Sequence, residues 1–356
     1  MVLSEAPGKM ILIGEYAVLE GAPALVCALE CYARVRVKNN DDNSYSVESP
    51  SLQIEKSNFV LSDSGHVKFD SNTKQKNKDR LNLFSIIFRG IYLYLKNMGQ
   101  KLKSIDISID TDDFYSDQLK VKYGFGSSAA MASALIEAVL SIIGNGNTLS
   151  ANEKFSLAYM AHRKAQGNLG SGIDVAASVF GGVLKYQLNR NDDLKPTNPI
   201  ALDNFDQLQM FPVWAGHSTS TREMIRGIDE FRTKNKKSFN SILQRLGDCS
   251  AQGIENYKSK KIFGFLSNVQ EYNQLLLELG EKSGIPIVSD QHQLLTEIIE
   301  DKGGYYKPSG AGGGDIGICF FESPELKNDL VHEIETNGFK ALNFDISQHG
   351  VRTLTD

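Results

Sequence analysis

The sequence is poor in the features that mark disulfide-rich, zinc-binding and strongly basic proteins. Its 356 residues contain only four cysteines, and 38 lysines and arginines stand against 43 aspartates and glutamates, for a net charge of −5. Four cysteines in so long a chain are too few for a disulfide framework. No Cys/His pair follows Cys27 and Cys31 at zinc spacing. We therefore expect four buried free thiols.

Long hydrophobic runs and a basic surplus are also missing. No stretch of about 18 apolar residues occurs, so we expect no transmembrane helix and no membrane partner. The first residues lack a basic region followed by an apolar stretch, which predicts no signal peptide and a cytoplasmic protein. An acidic chain lacks the positive charge that phosphate backbones require, so no nucleic-acid partner is expected. A local basic patch for one anionic metabolite remains open.

What is present is an ordinary globular composition, 41% apolar and 23% charged, in a length that suggests roughly two domains. Strand-like and helix-like runs follow each other irregularly, which favours an α+β fold over a doubly wound parallel sheet. Polar loops are predicted at 39–44, 70–80 and 189–206. The last of these is the candidate domain boundary, giving domains 1–202 and 203–356.

The hydrophobic periodicity predicts individual elements. Predicted strands include 10–13, 24–29, 33–37, 105–109, 183–186, 208–214 and 316–321. Predicted helices include 81–96, 127–143, 151–166, 221–233, 238–247, 262–279 and 291–302.

Residues 124–130, Gly-Phe-Gly-Ser-Ser-Ala-Ala, form the clearest local pattern. Two glycines let backbone N–H groups turn inward, and small residues then open a helix whose N-terminus favours an anion. The pattern indicates a phosphate-binding loop. A tight turn with Ser127 as helix N-cap explains the same residues and stays open. A Walker A loop is absent, and a Rossmann motif would need a following strand that ends in an acid.

Three further segments, around Lys9, Asp174 and residues 310–314, suggest an anion site. Lys9 precedes an apolar strand, where its ammonium needs an anionic partner unless it reaches solvent. Asp174 opens a small-residue helix, either as an N-cap or as a carboxylate that orients or deprotonates a substrate hydroxyl. His162, alone on the preceding helix, is more typical of a structural than of a catalytic histidine. Residues 310–314 hold four glycines, a density suited to backbone that wraps an anion.

Together, residues 6–21, 124–130 and 309–317 resemble, in order and spacing, the three motifs of the GHMP kinase superfamily of small-molecule kinases. Residues 14–18, 165–174, 214–222 and 309–315 are most similar to the bacterial-type phosphomevalonate kinases of that superfamily. The resemblance implies a ribosomal-S5-like N-terminal domain and a ferredoxin-like C-terminal domain. ATP and substrate would lie in the cleft between the two.

The resemblance also implies roles for individual residues. ATP and Mg²⁺ would be the cofactors, phosphomevalonate the small-molecule substrate, and the protein a monomer or homodimer. Lys9 and Asp174 would be catalytic, and Ser128 would bind the metal. The ATP phosphates would be held by Gly124, Gly126, Ser127, Ser128 and Ala129. The substrate would be bound by Tyr16, Gln166, Ser171, Ser220, Arg222 and Gly312.

One position departs from the pattern of the mevalonate kinases. A magnesium-binding Glu stands eleven residues before the Asp in those enzymes, whereas this chain has Arg163 there. The metal would then be held by Ser128 and ATP alone, or with another acid such as Glu15, and Arg163 would be free to meet an anionic substrate. The alternatives that remain are mevalonate kinase, another GHMP kinase, a non-catalytic metabolite sensor and a decarboxylase relative.

Overall fold

The computed structural model describes residues 1–41, 44–116, 119–144, 149–167, 170–189, 196–216 and 221–354, with only the backbone described at 221 and 222. Its strands are Val2–Ile13 (β1), Pro23–Asn39 (β2), Tyr45–Ser49 (β3), Ile54–Leu61 (β4), Val67–Phe69 (β5), Ile105–Asp110 (β6), Tyr115–Ser116 (β7), Val121–Lys122 (β8), Val183–Gln187 (β9), Ile200–Leu202 (β10), Gln209–Trp214 (β11), Tyr305–Ser309 (β12), Ile316–Phe321 (β13), Lys340–Ala341 (β14) and Arg352–Leu354 (β15). Its helices are Gln75–Arg80 (α1), Asn82–Asn97 (α2), Ser127–Ile143 (α3), Ala151–Ala165 (α4), Ile173–Phe180 (α5), Thr221–Lys234 (α6), Lys236–Lys258 (α7), Ile262–Ser283 (α8), Asp290–Asp301 (α9) and Leu326–Thr336 (α10).

The larger sheet has the strand order β10-β9-β2-β6-β3-β4-β5, and β1 pairs with both β2 and β15. Its ladders are antiparallel apart from the parallel β3–β6 pair. Helices α3 and α5 pack on β1 and β2, and α2 and α4 pack against α3. The apolar face of the sheet is thereby covered, and the loops at 124–126 and 170–172 come to lie beside β1.

A second sheet of order β12-β13-β11-β14 is joined to helices α8, α9 and α10. The mixed helix and sheet content confirms the predicted α+β fold. The proposed domain boundary at 202/203 falls between β10 of the larger sheet and β11 of the smaller one. After β14 the chain returns to the larger sheet, where β15 pairs with β1.

Strand β2 corrects the prediction of two separate strands at 24–29 and 33–37. Pro7 pairs with Tyr32 and Gly8 with Leu29, so residues 30–31 form a bulge. A bulge interrupts the alternation of buried and exposed side chains without ending the strand.

Two helical segments also differ from the sequence prediction. The predicted polar loop 70–80 contains α1, and the following helix begins at Asn82. Helix α10 lies outside the predicted set, and it buries only Leu330 and Ile334, which leaves a weak periodic signal. No helix among the described residues is long and apolar enough to cross a membrane. The four cysteines are free and buried, as predicted.

Candidate active site

A cavity of about 520 Å³ lies where β1, the turn before α3, the segment before α5 and the loop after β12 meet. Both sheets contribute to its wall. Most of the residues predicted from the sequence line it: Lys9, Tyr16, Gly124, Gly126, Ser127, Ser128, Gln166, Ser171 and Asp174.

Two predicted residues do not line the cavity, and for two more the structure describes no side chain. Ala129 is fully buried within α3. Gly312 packs against the 287 backbone, where an added Cβ would lie 2.3 Å from the Ile287 carbonyl oxygen. Ser220 lies outside the described residues, and Arg222 is described only as backbone at the start of α6.

The turn before α3 brings backbone close to a lysine and a carboxylate. Gly126 is the N-cap of α3 with φ +78°, and a Cβ there would lie 3.2 Å from Lys9 Cγ and 3.7 Å from Asp174 Cβ. The alternative in which Ser127 caps the helix is therefore wrong, because Ser127 is already helical. A glycine here lets the helix N-terminus, which favours anions, open directly on the cavity.

Lys9 lies within β1 rather than before it, and its backbone N–H donates to the Phe125 carbonyl at 2.8 Å. Its ammonium reaches back to the Gly124 carbonyl at 3.4 Å. Burial lowers the pKa of Lys9, and the charges of Asp174, Glu15 and Asp315 oppose that shift. The head group thus points to the glycine turn instead of open solvent.

Asp174 is positioned by the start of α5. Gly172, with φ +78°, is the N-cap of this helix, so the reading of Asp174 as its N-cap is wrong. Asp174 Oδ1 accepts the Val175 N–H at 2.9 Å, and Oδ2 lies 3.9 Å from His162 Nε2. The carboxylate lines the cavity with its side chain 21% exposed, which suits contact with a bound molecule.

A buried ion pair that the sequence did not reveal lies beside the cavity. Lys307 Nζ donates to Glu15 Oε1 at 2.5 Å, and their side chains are 0% and 1% exposed. Burial raises the pKa of Glu15 and lowers that of Lys307, while their mutual attraction opposes both shifts. Glu15 Oε2 has no hydrogen-bond partner among the described residues. Because Oε1 is bound by Lys307, the negative charge of Glu15 is balanced by the ammonium of that lysine.

The glycine loop after β12 is bonded to β1 and the turn that follows it. Ser309 Oγ accepts the Ile11 N–H at 3.1 Å and donates to the Ile11 carbonyl at 3.0 Å. Tyr16, held at φ +59°, donates its hydroxyl to the Ala311 carbonyl at 2.5 Å. These bonds fix the relative position of the two walls of the cavity.

Two more charged residues line the cavity and were not predicted as site residues. Asp315 reaches the glycine turn, where an added Cβ on Gly124 would lie 3.3 Å from Asp315 Cβ. Lys122 ends β8, and it pairs with no carboxylate among the described residues. Lys122 is exposed. Asp315 and Lys122 reach the cavity through the folding of distant segments onto each other. In the sequence, the one local hint of a role for either residue is that it stands next to a glycine-rich turn.

Arg163 does not line the cavity. Its guanidinium donates to the Tyr159 hydroxyl at 2.9 Å and lies 5.7 Å above the same ring. Within the described ranges, no three His, Cys, Asp or Glu side chains form a metal-binding group.

Comparison with known proteins finds similar small-molecule kinases. Residues 85–182 match the family described as GHMP kinases N terminal domain. The phosphomevalonate kinase of Streptomyces sp. (strain CL190) is 26% identical over 93% of this chain and 92% of its own length. The mevalonate kinase of Thermococcus sibiricus is also 26% identical, over 99% of this chain and 98% of its own.

A solved structure has the same fold. The phosphomevalonate kinase of Streptococcus pneumoniae, in complex with phosphomevalonate and AMPPNP, superimposes with a TM-score of 0.77 at 20% identity, over 97% of this chain and 100% of that one. Residues 85–182 of this chain therefore match a GHMP kinase N-terminal domain, and the chain resembles kinases of that superfamily over nearly its whole length, as its motifs predict.

Proposed function

We propose that this chain transfers the γ-phosphoryl group of ATP to 5-phosphomevalonate, which forms 5-diphosphomevalonate and ADP. The main support for this reaction is that Lys9 and Lys122 line one cavity beside the N-terminus of α3. Two anions must meet in such a site, the nucleotide phosphates and the acceptor. A second lysine without a carboxylate partner supports an acceptor that is itself a phosphate ester.

The cavity supports phosphoryl transfer by positioning and charge neutralisation. A phosphate oxygen of the acceptor would attack the γ-phosphorus, and the bond from that phosphorus to the β,γ-bridging oxygen would break. Such reactions need little covalent help from the protein. Lys9 would stabilise the charge on the transferring group. Because the acceptor phosphate is largely ionised near neutral pH, Asp174 would orient it more than deprotonate it.

The residues present fit a nucleotide-bound magnesium ion. Mg²⁺ is usually held by one or two protein oxygen ligands together with substrate phosphates. Ser128 lines the cavity in the first turn of α3, and Asp174 and Asp315 supply carboxylates to the same cavity. Ser128 would be the protein ligand. The ion would neutralise charge on the phosphates of ATP.

Mevalonate kinase is the second candidate function, because the two kinds of relative are equally identical to this chain. One observation favours phosphomevalonate: Arg163 occupies the position of the magnesium-binding Glu that the mevalonate kinases carry.

An acceptor panel separates the two candidates. Purified protein with ATP, Mg²⁺ and either mevalonate or 5-phosphomevalonate should release ADP mainly with the second compound. Equal rates, or faster release with mevalonate, would reject the assignment of the acceptor. Absence of ADP release with either compound would reject the pathway assignment as well.

A further inference from the structure

His162 lies behind the wall of the cavity and contacts three residues that line it. Its side chain is 3% exposed. Nε2 lies 3.0 Å from Ser128 Oγ, 3.3 Å from Gln166 Nε2 and 3.9 Å from Asp174 Oδ2. One ring nitrogen therefore lies near both parts of the cavity. Ser128 is on the part expected to hold the nucleotide, and Asp174 is on the part expected to hold the acceptor.

The neighbours of Nε2 indicate which partner carries the hydrogen. An amide nitrogen such as Gln166 Nε2 can only donate. The Asp174 carboxylate, at 3.9 Å, is beyond hydrogen-bond distance. Among the described residues, the only neighbour within hydrogen-bond distance that could accept from Nε2 is the Ser128 hydroxyl, which can equally donate. An unprotonated Nε2 accepts from both the amide and the hydroxyl, whereas a protonated Nε2 leaves the amide without an acceptor there.

We propose that His162 is a positioning residue that accepts the Ser128 hydroxyl hydrogen and so leaves the lone pairs of Ser128 Oγ directed into the cavity. A hydroxyl that ligates a cation must present a lone pair and place its hydrogen elsewhere. His162 Nε2 is that place. The inference rests on the proposed function in one respect, that the ligand at Ser128 is a magnesium-bound nucleotide.

This chain also contains a buried, hydrogen-bonded histidine that does not line the cavity. His292 on α9 is fully buried, and its Nδ1 lies 2.8 Å from the Tyr306 hydroxyl. Neither residue lines the cavity. His292 is therefore a matched control for the general cost of removing a buried, hydrogen-bonded histidine.

The hydrogen position can be measured directly. In protein labelled with ¹⁵N-histidine, six histidines give signals, and the His162 pair is the one lost in His162→Gln. We expect a pyridine-type, unprotonated Nε2 that shifts in Ser128→Ala. A protonated Nε2 in the wild type would overturn the proposal. This readout needs neither substrate nor turnover.

Binding measurements test the consequence. Calorimetric titration with ADP should show His162→Leu weakened roughly five- to tenfold when Mg²⁺ is present, the loss expected for one hydrogen bond, and nearly unchanged in EDTA. His162→Gln, whose amide oxygen can accept the same hydrogen, should retain most of the affinity. His292→Leu should lower Tm without changing magnesium-dependent binding. Equal weakening with and without Mg²⁺, or no rescue by Gln, would overturn the role of His162.

The two proposals fail in different experiments. If wild-type protein binds magnesium ADP and shows the His162 effects but does not phosphorylate 5-phosphomevalonate, only the acceptor assignment is wrong. If turnover is as proposed but His162→Leu binds magnesium ADP like the wild type, only the role of His162 is wrong.

Discussion

Replacing Glu15 by Gln should destabilise the protein far more than a surface substitution of the same kind. The Glu15 and Lys307 side chains are 1% and 0% exposed with a 2.5 Å contact, so the variant leaves an ammonium buried without its counter-charge. Breaking a buried pair in this way costs about 3–5 kcal/mol. That is a large fraction of the roughly 5–15 kcal/mol by which native proteins are stable.

The assay is urea unfolding followed by the fluorescence of Trp214, the single tryptophan, which is 4% exposed on β11, and in parallel by circular dichroism. The matched control is Glu335→Gln. Glu335 pairs with Lys340 at the same 2.5 Å, but with side chains about two-fifths exposed (40% and 39%). Exposed pairs contribute at most about 1 kcal/mol.

A double variant separates lost charge pairing from other damage. Glu15→Gln combined with Lys307→Met removes both charges. The free energy of unfolding of this double variant should be within about 1 kcal/mol of the wild-type value, or higher, because both desolvation costs disappear. If Glu15→Gln costs no more than Glu335→Gln, the pair is not a buried ion pair in solution. If the double variant is no better than the single one, pairing is not the cause.

Three further predictions concern the cavity. Asp174→Asn should lower kcat by about 100-fold or more while Tm stays near the wild-type value; a large drop in Tm with unchanged turnover would make the residue structural. Ser128→Ala should raise the Mg²⁺ concentration needed for half-maximal rate, and an unaffected magnesium titration would remove Ser128 as a ligand. Lys122→Met should raise the KM for 5-phosphomevalonate by roughly tenfold or more, as expected for a lost charge-assisted hydrogen bond, with little change in the KM for ATP; a change confined to ATP would place Lys122 on the nucleotide side.

Elements with strong local signals are predicted well from the sequence. Helix α3 has the bounds that its periodicity predicts, Ser127–Ile143, because its glycine N-cap and apolar face are both encoded locally. For strand β2 the sequence predicts two strands where the structure has one, because the bulge at residues 30–31 depends on pairing with β1. The pattern within β2 alone cannot distinguish a bulge from a loop.

The same distinction holds for the site. Glycine turns and the charges next to them, such as Lys9 and Asp174, are visible as local patterns. The Glu15–Lys307 pair joins residues 292 positions apart, and the His162–Ser128 contact joins residues 34 positions apart. These partners are chosen by the packing of helices and sheets, so no local pattern indicates them.

The most direct test of the central claim is to identify the product by ³¹P NMR. Wild-type protein incubated with ATP, Mg²⁺ and 5-phosphomevalonate should convert the monophosphate ester resonance into the pair of resonances of a diphosphate, while mevalonate under the same conditions stays unphosphorylated. Persistence of the monophosphate resonance, together with formation of a new monophosphate ester from mevalonate, would contradict the assignment of 5-phosphomevalonate as the acceptor.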